Sequence, residues 1–190
     1  MMRFLLLTTF SLFACARAPE FVEYREPGGE FSVQVPRRWK VSERGPFTRR
    51  PVAEVWWIGK VVETDEGWPV GAILYVRRLD KDPDKRNKVY INEELADTKA
   101  LFAGKHAPDV QTKKSTMLGH ESIEFVRDYE EAFGGGWHGK LHHRAARVEG
   151  VVIDTPGSYY VLEYRATKEL FEKYRYGFMR LRESFKLKGA

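Results

Sequence analysis

The sequence predicts an α+β domain of short strands and two amphipathic helices, set behind a removable leader. Three observations carry this. An apolar run near the N-terminus ends at Cys15, the only cysteine. The middle of the chain alternates apolar and polar residues in short runs broken by Pro, Gly and Asp, the pattern of half-buried strands. The C-terminal end carries one apolar stripe at helical spacing.

The leader comes first. Arg3 gives a positive start and residues 4–14 carry no charge. Eleven residues are too few to cross a bilayer, which needs roughly 20, but they fit the apolar core of a signal peptide. The tetrad Leu12-Phe13-Ala14-Cys15 resembles the lipobox of bacterial lipoproteins, with an aliphatic residue at −3, a small residue at −1 and the obligatory cysteine. That resemblance implies that residues 1–14 are removed and that the Cys15 thiol receives a diacylglycerol. Each buried methylene adds about 0.8 kcal/mol, so two or three acyl chains anchor firmly. Residues 15–20 then form the lipidated cysteine and its tether, and residues 21–187 the domain. The expected partner is a membrane, through the lipid, and the expected location is the bacterial cell envelope, periplasmic or surface-facing. Ala16 is not the aspartate associated with inner-membrane retention, which leaves an outer-membrane address open.

Composition bounds the rest. With 190 residues, 43% hydrophobic and 31% charged, the chain suits one domain with a short appendage. Its net charge of +5 falls to +4 without Arg3, and the basic pairs Arg37–Arg38, Arg49–Arg50, Arg77–Arg78 and Lys113–Lys114 are scattered. A nucleic-acid binder gathers such residues into a stripe, so no nucleic-acid partner is expected. One cysteine allows no disulfide within the chain, so the core must hold the fold.

Along the domain, Pro27 to Gly29 marks a turn, and Phe31, Val33 and Val35 alternate with Ser32 and Gln34 as a strand. Pro36, lacking an N–H, ends the pairing, and Trp39 is expected to fold back onto the core. Residues 54–63 and 69–79 read as two further strands joined by a hairpin loop at residues 65–68. Asn92 to Gly104 reads as a helix, capped by Asn92, stopped by Gly104, and packing through Leu95, Phe102 and Ala96, Ala100 and Ala103. Residues 116–129 read as a turn and then a strand carrying Ile123 and Phe125, imperfectly alternating and so covered on both sides. Thr155-Pro156-Gly157-Ser158 fits a type II turn between two strands. Beyond it, Tyr160, Leu162 and Tyr164 share one face and Tyr159, Val161 and Glu163 the other. Leu170, Tyr174, Phe178, Leu181 and Phe185 form the stripe of a final helix with Thr167 as its cap. Lys168, Glu172, Arg175, Arg182 and Glu183 lie on the opposite face, and the helix is expected to cover one face of the sheet.

The words "FSVQVPRRWKV" and "YYVLEYRATKELFEKYRYGFMRLRESFK" resemble the opening strand and the closing strand–helix of PsbP-like proteins. This resemblance implies an α/β/α sandwich with a central, mostly antiparallel sheet and a C-terminal helix packed on one face. It also implies a non-catalytic domain that binds or stabilises a protein or envelope component. The family includes bacterial lipoproteins of unassigned function, and a shared fold does not transfer a job.

Candidate sites are few. His138, His142 and His143 are the one dense group of ligand-type residues, completed on a metal reading by Asp154 or His120. On a strand, His142 and His143 point to opposite faces, and the glycines at 134, 135, 136 and 139 argue against a helix, so no metal is expected. His120 and Glu124 imitate part of a zinc-protease motif, but on a strand two such ligands stand ~13 Å apart. Asp80, Asp82 and Asp84 resemble a calcium loop but lack its glycine and its bidentate glutamate. No cofactor and no catalytic residue are assigned, since no nucleophile motif, phosphate loop or paired carboxylates stand out. A second reading is a small-ligand carrier whose pocket is lined by Trp39, Trp56 and Trp57. A third is a metal-dependent or hydrolytic protein using the histidines. The loops Arg44 to Arg50 and Phe133 to His138 are the expected partner surfaces.

Overall fold

The computed structural model describes residues 20–43, 52–59, 62–63, 69–81, 96–134 and 141–188. The leader and Cys15 lie outside these residues. So do residues 44–51, 60–61, 64–68, 82–95 and 135–140, among them Asp82, Asp84, the expected helix cap Asn92, and His138.

Among the described residues, three sheets and two helices make an α+β sandwich with all strand pairs antiparallel. Strands β1 (Phe21–Arg25) and β2 (Phe31–Pro36) form a hairpin over the expected turn, where Glu26 N–H donates to Phe31 O at 3.0 Å. β2 has the predicted alternation and ends at Pro36. Strand β3 (Lys40–Glu43) opens the main sheet and pairs with β4 (Val52–Ile58). The expected long strand over 54–63 is divided at Gly59, and β5 (Val62–Glu63) pairs with β6 (Pro69–Val70) as a separate ribbon. Gly59 lies under Trp39, where a Cβ would stand 2.8 Å from the indole. Residues 71 and 72 divide the next expected strand, leaving β7 (Ile73–Asp80) to pair with β4.

The described part of helix α1 covers residues 96–102. It ends as predicted at Gly104, whose φ is +68°. Lys105 N–H donates to Ala100 O (2.8 Å) and Gly104 N–H to Leu101 O (3.1 Å), the double closure of a Schellman cap. Its packing face differs from the expected one. Ala96 and Ala103 are exposed, while Thr98 is buried and Leu101 and Phe102 pack against the sheet.

Strand β8 (Val110–Met117) was not visible in the sequence. It pairs with β9 (His120–Gly134) through the turn at Leu118 and Gly119. Ser122 and Ile123 are both buried, so β9 is covered on both sides there. β10 (Leu141–Asp154) joins β11 (Ser158–Thr167) through a turn closed by Thr155 N–H on Ser158 O (3.0 Å). Gly157 does not adopt positive φ, so the turn is not type II; the Thr155 hydroxyl, donating to Ser158 O at 2.6 Å, helps close it instead. The seven-stranded order is β3-β4-β7-β11-β10-β9-β8.

Helix α2 (Lys168–Ser184) lies on one face of this sheet beside the β1-β2-β12 layer, where β12 is Lys186–Leu187. Its buried face is Phe171, Tyr174, Gly177, Phe178 and Leu181, with Phe185 buried at the C-cap. These meet Phe31, Val33 and Val35 of β2 and Val55, Trp57, Leu74, Val76, Leu162 and Tyr164 of the sheet in the main core. Thr167 holds the N-cap position but makes no capping hydrogen bond. The charged face is not simply solvated. Lys168, Arg175 and Arg182, two turns apart, meet Asp128 (3.0 Å), Glu149 (2.6 Å) and Glu124. A smaller core of Leu79, Val152, Tyr159 and Val161, packed against Leu101, Phe102 and Phe125, occupies the other face of the sheet.

Candidate functional site

The face opposite α2 carries an open cleft of about 430 Å³. Strand register builds it. One row across the sheet runs Arg77, Val161, Val152; the next Tyr75, Glu163, Gly150, Phe125; the next Arg165, Val148, Arg127, Val110. Period-two alternation brings these to one face. Leu79, Val148, Val152, Val161 and Phe125 form an apolar floor, and α1 with Lys105, His106 and Ala107 forms the wall.

Glu163 is the polar centre. It is 4% exposed, receives a hydrogen bond from Arg77 at 2.7 Å, and is paired on its other oxygen with Arg165. Two guanidiniums thus share one buried carboxylate at the floor's border. Burial works against the charged form of Arg165, but the adjacent Glu163 outweighs it and holds the guanidinium above its ordinary range. Tyr129, near the same group, is pushed up to about 12, first by burial and then by Glu131. Arg127, on the rim, is bridged to Asp109 at 2.7 Å.

His106 is committed on both ring nitrogens. Nδ1 donates to Ala107 O (3.1 Å), and in the neutral ring this leaves Nε2 to accept from the Thr112 hydroxyl (3.1 Å). The residues lining the cleft include no Ser or Cys. The cleft offers apolar area beside positively charged side chains.

The residues singled out in the sequence sit elsewhere. Trp57 is in the main core, Trp56 is on the opposite face of the same strand, and Trp39 packs edge-on to Tyr174 at 6.2 Å. They do not line one pocket. His143 is on β10, 3.9 Å from Glu130, while His138 and the His142 side chain lie outside the described residues. Among the described residues no three His, Cys, Asp or Glu side chains gather as a metal site. His120 and Glu124 are on strand β9. Asp80 accepts from Ser158 (3.0 Å) and faces Arg78 (3.2 Å). The partner loops Arg44 to Arg50 and 135–138 lie outside the described residues. The cleft was missed because its residues come from five strands and a helix, with no shared motif.

The fold is similar to that of several solved structures. The Ran-binding protein Mog1p of Saccharomyces cerevisiae superposes with a TM-score of 0.50 at 12% identity, covering 90% of this chain and 96% of that one. LpqN of Mycobacterium tuberculosis, described as involved in cell envelope biogenesis, is similar at a TM-score of 0.44 and 16% identity, covering 90% and 92%. Cyanobacterial PsbP (CyanoP) of Synechocystis is similar at 0.43 and 11%, covering 95% and 99%. The chain also spans about half (48%) of a longer Bacteroides thetaiotaomicron protein. No protein-family profile matches the chain, and no curated protein matches its sequence. At these identities the likeness is one of fold. Among the described residues no helix is long and apolar enough to cross a membrane.

Proposed function

We propose that the protein is a lipid-anchored protein of the bacterial cell envelope whose domain works by binding a protein or envelope component at the cleft. The observation that carries the binding role is the cleft itself: an apolar floor bordered by two guanidiniums locked on the buried Glu163. Fixed cations beside apolar area suit an anionic group on an apolar body. The leader and Cys15 support the anchor. The yeast protein of this fold is Ran-binding, so the fold has served protein recognition.

The test uses the native chain in crosslinked membranes. A bound partner is expected with the wild type and lost with Lys105→Glu, a change at an exposed wall residue. Equal recovery with both would remove the cleft from the reading. Cys15→Ser is expected to release the chain from membranes, and unchanged retention would remove the anchor.

The cleft's volume also favours a second reading, a small-ligand carrier, since ligand pockets span roughly 300–1,000 Å³. Native mass spectrometry of the purified chain separates the two: a carrier retains a small anionic molecule that Lys105→Glu releases.

A further inference from the structure

The described chain begins at Glu20, five residues after Cys15. Five residues reach at most about 18 Å. A lipid on Cys15 therefore holds one face of the domain at the membrane, and the following inference rests on that anchor. The face around Glu20 is distinct in chemistry. Arg37 N–H donates to Glu20 O at 2.9 Å, which fixes the start of β1 beside residues 37–40. Phe21 meets Tyr176 edge-on at 6.2 Å and carries the Arg180 guanidinium at 5.7 Å from its ring centre. Trp39 and Tyr174 extend the aromatic group, and Lys173 lies over Tyr174 at 5.5 Å. Arg37, Arg38, Lys40, Lys173, Tyr176 and Arg180 are exposed. The acids here are Glu20, bridged to Arg37 at 3.4 Å, Glu23, bridged to Arg25 at 3.1 Å, Glu183, 3.8 Å from Arg180, and Glu169. With Arg25 counted, six cations against four acids leave the face positive.

We propose that this aromatic and cationic face rests on the anionic headgroups of the membrane that holds the anchor. Tyr and Trp settle at the headgroup level because one end of each ring is apolar and the other polar. Lys and Arg are drawn to anionic lipid within a Debye length, each by about fivefold in binding. The tether length and the charge select this occupant over a second protein. α2 and the β1–β2 layer lie on one side of the main sheet and the cleft on the other. Seated this way, the domain turns its cleft away from the membrane.

The experiment is amine labelling of the full native chain in vesicles containing phosphatidylglycerol, read by mass spectrometry at single lysines. Lys40 and Lys173 are expected to label at least about fivefold more slowly than in detergent, with Lys105 and Lys113 unchanged. Arg37→Glu with Lys173→Glu is expected to abolish the protection of Lys40, as is replacing the lipid by phosphatidylcholine. Equal labelling in vesicles and detergent overturns the proposal, whether or not Cys15 carries lipid. So does protection that survives the double reversal, or that persists in detergent at high protein concentration, which would mark a second copy. The Cys15 peptide mass is read in the same sample. A free thiol with Lys40 protection intact overturns the anchor alone.

Discussion

The ring of Phe125 occupies the space that a side chain at Gly150 would need. A Cβ there would stand 2.5 Å from Phe125 Cε1 and 2.9 Å from the Leu162 carbonyl oxygen. The two residues are register partners on β9 and β10, so the missing side chain lets the ring lie across the sheet as part of the cleft floor. Gly150→Ala is therefore expected to destabilise the fold by about 1–3 kcal/mol through overpacking. The Phe125→Leu change, added to it, is expected to recover part of the loss. Urea unfolding of the three variants checks this; an additive double variant would contradict it.

The hairpin between β8 and β9 is held by two residues with positive φ, Leu118 at 54° and Gly119 at 77°. That is the geometry of a type I′ turn, whose twist matches the strands. Leucine adopts it against its own steric preference, and its side chain is 37% exposed, so it has little packing to lose. Leu118→Asn is expected to stabilise by about 0.5–1 kcal/mol, and Gly119→Ala to destabilise by a similar amount. Thermal melts of both variants decide it.

Asp128 links β9 to β10 and α2. Arg147 donates to its two oxygens at 2.6 and 3.1 Å, and Lys168 lies at 3.0 Å. These cations hold its carboxyl well below the ordinary range. A depressed folded value means that the carboxylate's contribution is complete above the unfolded value of about 3.9 and fades as pH falls through the lower folded one. The stability difference between wild type and Asp128→Asn is expected to be constant from roughly pH 8 to 5 and to shrink below about pH 4. Denaturation midpoints across that range read it directly.

The alkaline limit has a different origin. Tyr160 is pushed up to about 12, first by burial and then by the charge of Glu30, whose Oε2 accepts from its hydroxyl at 3.4 Å. The unfolded chain ionises this group near 10, so the unfolded state gains from rising pH before the folded state does. Stability is expected to fall between about pH 10 and 12. Tyr129 and Tyr164 are raised as well, so Tyr160→Phe is expected to lessen that fall by one tyrosine's share rather than remove it, seen in melts paired with tyrosinate absorbance.

Local pattern made some of this legible. α2 shows in the sequence because an apolar stripe at helical spacing has no competing reading, and β2 because Phe31, Val33 and Val35 alternate without a break. β8 does not, since an edge strand reading VQTKKSTM buries almost nothing and so carries no alternation. β12 is two residues long and exists only because β2, about 150 residues earlier, pairs with it. The same non-local dependence hid the cleft. Glu163 could be placed on the face of Tyr159 and Val161, but its meeting with Arg77 depends on the register between β7 and β11.

Glu163 is also the residue on which stability and recognition can be separated. Arg77 and Arg165 are 17% and 42% exposed, so their charges are partly solvated, whereas the carboxylate between them is buried. Glu163→Gln keeps the shape but removes the charge that both guanidiniums share. The expected loss is about 1–3 kcal/mol, reflecting two cations left with weaker partners. Glu163→Leu removes the acceptor as well and is expected to cost more. The cleft responds in the opposite sense, because neutralising its buried acid raises its positive charge. In the folded Gln variant an anionic dye that binds the cleft should therefore bind more tightly, with a steeper fall as salt rises. Weaker dye binding at full folding would mean that Glu163 orients the guanidiniums more than it opposes the ligand. Unchanged stability would mean that the two arginines reach solvent or other partners as easily as they reach each other's shared carboxylate.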